Sequence, residues 1–177
     1  MRRKDREIEG VDESFDILIR CDTVRIGIHG EKHPYVVPVS FGAEMADGKP
    51  VVYFHCAKQG MKLDLLEEDA RVCVEGDTFI KVETTEHGIT TRYESVIGFG
   101  ECRFVEDEDE MAHGLRLLTE HYGYGDYPVE RCAGFGNLLV GKIVLDEITG
   151  KRNLPGNPTA ADRDRTLPTS GRSANRT

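Results

Sequence analysis

The segment Val51–Asp69, VVYFHCAKQGMKLDLLEED, gathers polar chemistry where an apolar strand passes into a short amphipathic helix. A helix beginning near Gly60 has first backbone N–H groups without an internal partner. Gly60 permits unusual dihedrals and a close approach of backbone to a ligand. Lys58 and Lys62 put positive charge within one turn of that end. Free amides, the helix dipole and lysine together make a phosphate cradle. The same residues also describe a solvent-facing loop with two ordinary surface lysines, and both readings stay open at this point. His55 and Cys56 suggest a Cys–His pair. Adjacent strand residues point to opposite faces, so the two are not expected to share a site.

Two further stretches carry possible contacts. In YVVPVSFG, residues 35–42, Pro38 lacks an N–H, which a central ladder would miss. Such a strand sits at an edge, at a bulge or beside a ligand. Apolar residues on both sides of its pleat point to burial of both faces. Beside a flat aromatic ligand it would offer backbone N–H and C=O groups to the polar rim; otherwise it is a kinked edge strand. In RYESVIGFG, residues 92–100, Gly98 and Gly100 mark a bulge or a close backbone approach. Ser95 then either hydrogen-bonds a ligand or faces solvent at a barrel corner.

These stretches need elements to hold them. Residues 12–20 read as a short helix with Asp12 as its cap and Phe15, Leu18 and Ile19 on one stripe. TVRIGIHG alternates as a half-buried strand. YVVPVSFGAEM reads as a second strand interrupted at Pro38, and ADGKP as a hairpin turn. VVYFHCA is a third strand, residues 61–68 a helix, and ARVCVEGD a fourth strand. Residues 79–105 hold two more runs around an EHG turn. The acidic run EDEDE opens a helix through about His121, where acids suit the positive N-terminal end. His113 and His121 lie on that helix, and His29 and His33 flank a solvated turn. YGYGDYPVERCAGFG is irregular, with residues 124–136 as a candidate pocket wall, and NLLVGKIVLDEITG closes the set. The sum is mainly β: a six- to seven-stranded antiparallel barrel with three peripheral helices. Closure also removes exposed strand edges.

Composition narrows the classes. A length of 177 residues suits one domain. The net charge of -9 argues against nucleic-acid binding, which needs clustered Lys and Arg. Five cysteines without a CxxC, and six scattered histidines, give no metal-ligand spacing. Free thiols, the absence of an apolar leader and the absence of any run near ~18 apolar residues point to a cytoplasmic protein without a membrane span. Residues 1–10 form a charged arm. From Lys151 to Thr177 the chain is rich in Pro, Ser, Thr, Asn and Arg and carries a net charge of +4. It reads as a disordered basic tail.

Three stretches, PYVVPVSFG, VYFHCAKQGMKLDLL and YESVIGFGECRFVEDEDE, resemble in order and content the FMN-binding split-barrel family related to pyridoxamine 5′-phosphate oxidase. The branch most similar is that of nitroimidazole-resistance-type flavoproteins. The resemblance spans residues 11–148, within a domain placed at 11–150. It implies a homodimer with FMN in a groove between subunits. By position, Pro38, Val39 and Ser40 would line the isoalloxazine ring. His55, Ala57, Gly60 and Lys62 would hold the ribityl phosphate end. Ser95 and Val96 would approach the cofactor from the matching strand, and a partner subunit is one possible source of that approach. The arginine-rich phosphate clamp and the C-terminal substrate segment of true pyridoxamine-phosphate oxidases are not evident, so vitamin B6 oxidation is not the expected activity. The expectation is an FMN-dependent oxidoreductase acting on a small electrophile such as a nitroaromatic, with NAD(P)H as reductant. The alternative is a non-catalytic flavin- or haem-binding module.

Overall fold

The computed structural model describes residues 3–86, 88–131 and 137–155. Eight strands form one antiparallel sheet: β1 (Glu7–Ile8), β2 (Val24–Ile28), β3 (Tyr35–Val39), β4 (Phe41–Ala46), β5 (Lys49–Ala57), β6 (Arg71–Thr85), β7 (Gly88–Phe104) and β8 (Leu138–Arg152). Their order is β3-β2-β6-β7-β8-β5-β4, with β1 paired to β8. The two edge strands, β3 and β4, are separated in the chain by Ser40 alone. A single residue cannot span an open sheet, so the sheet must curl until its edges meet at Ser40. This is a split barrel, its seam closed by the chain rather than by a ladder. The arrangement bears out the mainly β expectation, with the two-residue β1 as an addition.

Particular readings change. The strand expected to break at Pro38 breaks at Ser40. Pro38 sits inside β3, paired to Arg25, on an edge where a missing donor is tolerated. Burial of both faces of this strand is not observed, since Val36 is 58% exposed. ARVCVEGD and FIKVETT are one continuous strand, β6, with its bulge between Phe79 and Lys81. Helix α1 spans Val11–Leu18 with Gly10, not Asp12, at its N-cap. Its buried face is Ser14, Ile17 and Leu18, leaving Ile19 39% exposed, because Ile17 and Leu18 are one turn from Ser14 and share its side of the helix.

Helix α2 spans Met61–Glu68 and α3 spans Glu108–His121, matching the residues expected. The Asp107 carboxylate accepts from the Glu110 amide at 2.9 Å, and three acids fill the first turn of α3. The barrel interior holds the main core, including Phe41, Phe54, Ile26, Val74, Val96 and Ile143. A second core lies outside the barrel, where α3 covers Val51, Tyr53 and Val140. Strand β5 is therefore apolar on both faces: Val52 and Phe54 point inward, and Val51 and Tyr53 point towards α3. Gly42 lets α3 approach, because a Cβ there would fall on the backbone of Leu117 and Leu118.

At the far end of the barrel, Ile8 on β1 joins the main core. Glu94 is 3% exposed and accepts from Arg20 at 2.8 Å and Arg152 at 2.6 Å. Asn153 is buried and donates to the Thr91 carbonyl at 2.5 Å. Of the tail expected to be disordered, residues 156–177 lie outside the described residues, as do 132–136 of the irregular connection and Cys132 among the thiols.

Candidate functional site

The end of β5 and the start of α2 enclose the first group of expected residues. Gly60 occupies the N-cap of α2 with φ 138° and ψ 158°, a region open in practice only to glycine. It has no side chain with which to cap the helix, so the first-turn amides keep no side-chain acceptor. A Cβ at Gly60 would meet nothing within 4 Å, so the space before these amides is open. Lys62 is half-buried and points back towards the barrel mouth. Its Nζ lies 5.1 Å from the centroid of Phe54, which is fully buried. Its charge acts on the Cys56 thiol. Among the described residues no carboxylate lies within ion-pair distance of Lys62. Burial pushes the Cys56 thiol above its ordinary value, against the lowering effect of that ammonium. Burial holds the Cys102 thiol up at about 12.

His55 and Cys56 part as strand alternation requires. Cys56 packs against the barrel core, whereas His55 is exposed on the outer face. Ala57 ends β5 opposite Leu138. Ser40 precedes Phe41, whose partner is Phe54, so the seam brings Ser40 to the level of His55. Ser40, His55, Ala57, Gly60 and Lys62 thus share one end of the barrel.

Pro38 and Val39 precede Ser40 on β3, and Ser95 and Val96 lie on β7. Pro38 pairs with Arg25, Arg25 with Glu75, and Glu75 with Ile97, one lateral row across four strands. Three strand spacings separate Pro38 from Ile97, roughly 14 Å. Ser95, two residues along β7, pairs with Asp77 on the outer face. Val39 is half-buried against the core, and Val96 is 1% exposed inside it, so Val96 has only backbone to offer a ligand. Phe104 shares a row with Gly141 and Phe54, eight residues along β7 from Val96, or ~26 Å. Gly100 marks a register shift against β8, as its place in the strand suggested.

A recess that sequence reasoning missed, except for His55 and the expected wall at 124–136, opens beside His55. It has a volume of about 150 Å³ and is lined by His55, Leu115, Leu118, Thr119, Tyr127, Val129 and Leu138. The Thr119 hydroxyl is spent on the Arg116 carbonyl at 2.9 Å. Sequence carried one signal for it: Leu115 and Leu118 fall three apart on α3. Their alignment with Leu138 depends on β5–β8 pairing, which no local pattern reveals. No three His, Cys, Asp or Glu side chains among the described residues are grouped to hold a metal ion. No helix among them is long and apolar enough to cross a membrane.

Fold and site define a split-barrel protein with an open, cationic helix start at the barrel mouth. The family model described as pyridoxamine 5′-phosphate oxidase matches residues 10–152, and the chain belongs to that family. Among solved structures it is similar to a candidate 5-nitroimidazole antibiotic resistance protein from Bacteroides thetaiotaomicron. The TM-score is 0.73 and the identity 29%, over 82% of this chain and 86% of that one. It shares its fold with the flavocytochrome Anf3 from Azotobacter vinelandii, at TM-score 0.71 and 19% identity, covering 92% of this chain and 76% of that one. A FAD and haem binding protein from Mycobacterium smegmatis aligns at TM-score 0.69 and 18% identity, over 89% and 78%. No curated protein sequence matches the chain.

Proposed function

We propose that this protein is an FMN-dependent oxidoreductase that reduces a small electrophile such as a nitroaromatic with electrons from NAD(P)H. The observation that carries the reading is Lys62, an ammonium without a carboxylate partner beside an uncapped helix start. A phosphate monoester is near-dianionic at neutral pH and suits such a place. Gly60 and Lys62 would hold the phosphate, with His55 and Ala57 beside them on β5. The backbone of Pro38, Val39 and Ser40 would line the ring at the seam. Bound there, a flavin supplies reversible electron and hydride transfer, while the protein supplies orientation and electrostatics. Flavin binding is supported by relatives of the same fold described as binding FAD.

A homodimer follows from the same reading. Alternation and register put Val36, Phe79, Val82, Ile89, Ile97 and Phe99 on one outer face, each between 42% and 79% exposed. An apolar face of this extent marks an interaction surface. Among the described residues Cys21, Cys56, Cys73 and Cys102 are free thiols, which supports placement in the reducing cytoplasm.

The test is the visible spectrum of the purified protein with added FMN, titrated with NADH and NADPH. A flavin band that bleaches with either nicotinamide and returns with a nitroaromatic supports the enzyme. A flavin band that does not bleach, or a Soret band, identifies a binding module. Protein that ignores FMN removes the reading. Light scattering decides the dimer.

A further inference from the structure

The recess beside His55 lies outside the barrel, walled by hydrocarbon from α3 and from both flanks of the 132–136 connection. Leu115, Leu118, Val129 and Leu138 form the wall, and His55 and Tyr127 stand at the rim. Val129 is 3% exposed and Leu115 8%, so the wall is set by the second core and not by loose side chains. A dry apolar cavity of this size, about 150 Å³, takes up one benzene-sized ring. Water gains nothing by entering, since the wall gives it no polar partner. Neither the His55 ring nor the Tyr127 hydroxyl has a hydrogen-bond partner among the described residues.

We infer that this recess is a binding site for a neutral, single-ring aromatic compound, held apolar edge inward with one polar substituent towards His55. The hydrocarbon wall excludes a charged group at its base. His55 is two residues from Ala57 on β5, so a ring held here lies next to the phosphate end of the proposed cradle. The binding itself does not rest on the flavin reading.

The experiment is a ligand-observed NMR titration of the full chain with p-cresol and toluene, and with benzoate as the charged control, in the absence and presence of FMN. Wild-type protein takes up p-cresol and toluene saturably at one site and benzoate at least about tenfold more weakly. Leu118→Phe and Leu138→Phe fill the space from different elements. Each weakens both small rings at least about tenfold, with a Tm equal to or above that of wild type. His55→Ala weakens p-cresol and leaves toluene unchanged. The inference is overturned if wild type shows no saturable uptake, as it would were the recess filled by the chain's own residues. It is also overturned if both filled variants bind as wild type does, or if benzoate binds as tightly as toluene. Ring binding that persists in protein unable to bind FMN keeps the site and removes the flavin reading; FMN binding without ring uptake does the reverse.

Discussion

Replacing Lys62 by methionine removes one charge and keeps most of the stem that covers Phe54. A charge-assisted hydrogen bond to phosphate contributes about 1.5–3 kcal/mol. In the ligand-free fold the ammonium already rests 5.1 Å from the Phe54 centroid, a contact it must leave to meet a phosphate. That cation–π contact is a counterweight of about 0.5–1 kcal/mol. The net loss on Lys62→Met is therefore about 0.5–2.5 kcal/mol, or about two- to sixtyfold in FMN affinity. The open amides at Gly60 remain in the variant, so binding weakens without vanishing. Riboflavin, which has the same ring and ribityl chain but no phosphate, isolates the effect. Quenching of flavin fluorescence should show FMN weakened by that factor and riboflavin unchanged. Raised salt should weaken FMN binding to wild type more than to the variant. If both ligands weaken equally, Lys62 acts through the fold and not through phosphate. If neither weakens, the cradle is not where phosphate binds.

Other outcomes follow from the packing. Glu94→Ala strands Arg20, whose side chain is 24% exposed, leaves Arg152 with Glu13 as its remaining carboxylate, and should cost roughly 3 kcal/mol in urea unfolding. Gly42→Ala drives a Cβ into the α3 backbone and should cost about 1–3 kcal/mol by the same assay, with the main barrel intact by circular dichroism. Burial lowers the His121 pKa, while its Nε2 donates to the Cys21 carbonyl at 3.0 Å. The unfolded chain then takes up the proton first, so stability is full above about pH 6.5 and falls as the pH drops below it. Tm measured at pH 7.5 and 5.5 should fall more for wild type than for His121→Gln.

Much of the fold was legible because its signals are local. Alternation marked β2, the acidic run marked the start of α3, and Gly60 marked the start of α2. The exceptions are long-range. Pro38 looked like a break, but the break is at Ser40, because the chain changes sheet edges there and only the strand order reveals it. Ile19 looked buried by spacing, but the barrel end selects the Ser14, Ile17 and Leu18 face. The cradle residues are contiguous in sequence and were visible as a motif. The recess draws on β5, α3, β8 and the stretch before residue 132, so no window of sequence contains it.

Strand β5 explains why cradle and recess occur together. Along most of its length it is buried twice, with Val52 and Phe54 in the barrel and Val51 and Tyr53 under α3. Alternation continues past the point where α3 gives full cover. The next inward residue, Cys56, meets Lys62 at the barrel mouth, and the next outward residue, His55, reaches the rim of the recess. One peptide bond therefore joins two compartments of opposite character, one cationic and one hydrocarbon. A shift of one residue in the β5–β8 register would exchange the two faces. The Phe54 side chain pins that register, because it lies over Gly141, where a Cβ would fall on its ring. Phe54 thus fixes the strand register while its ring carries the Lys62 ammonium.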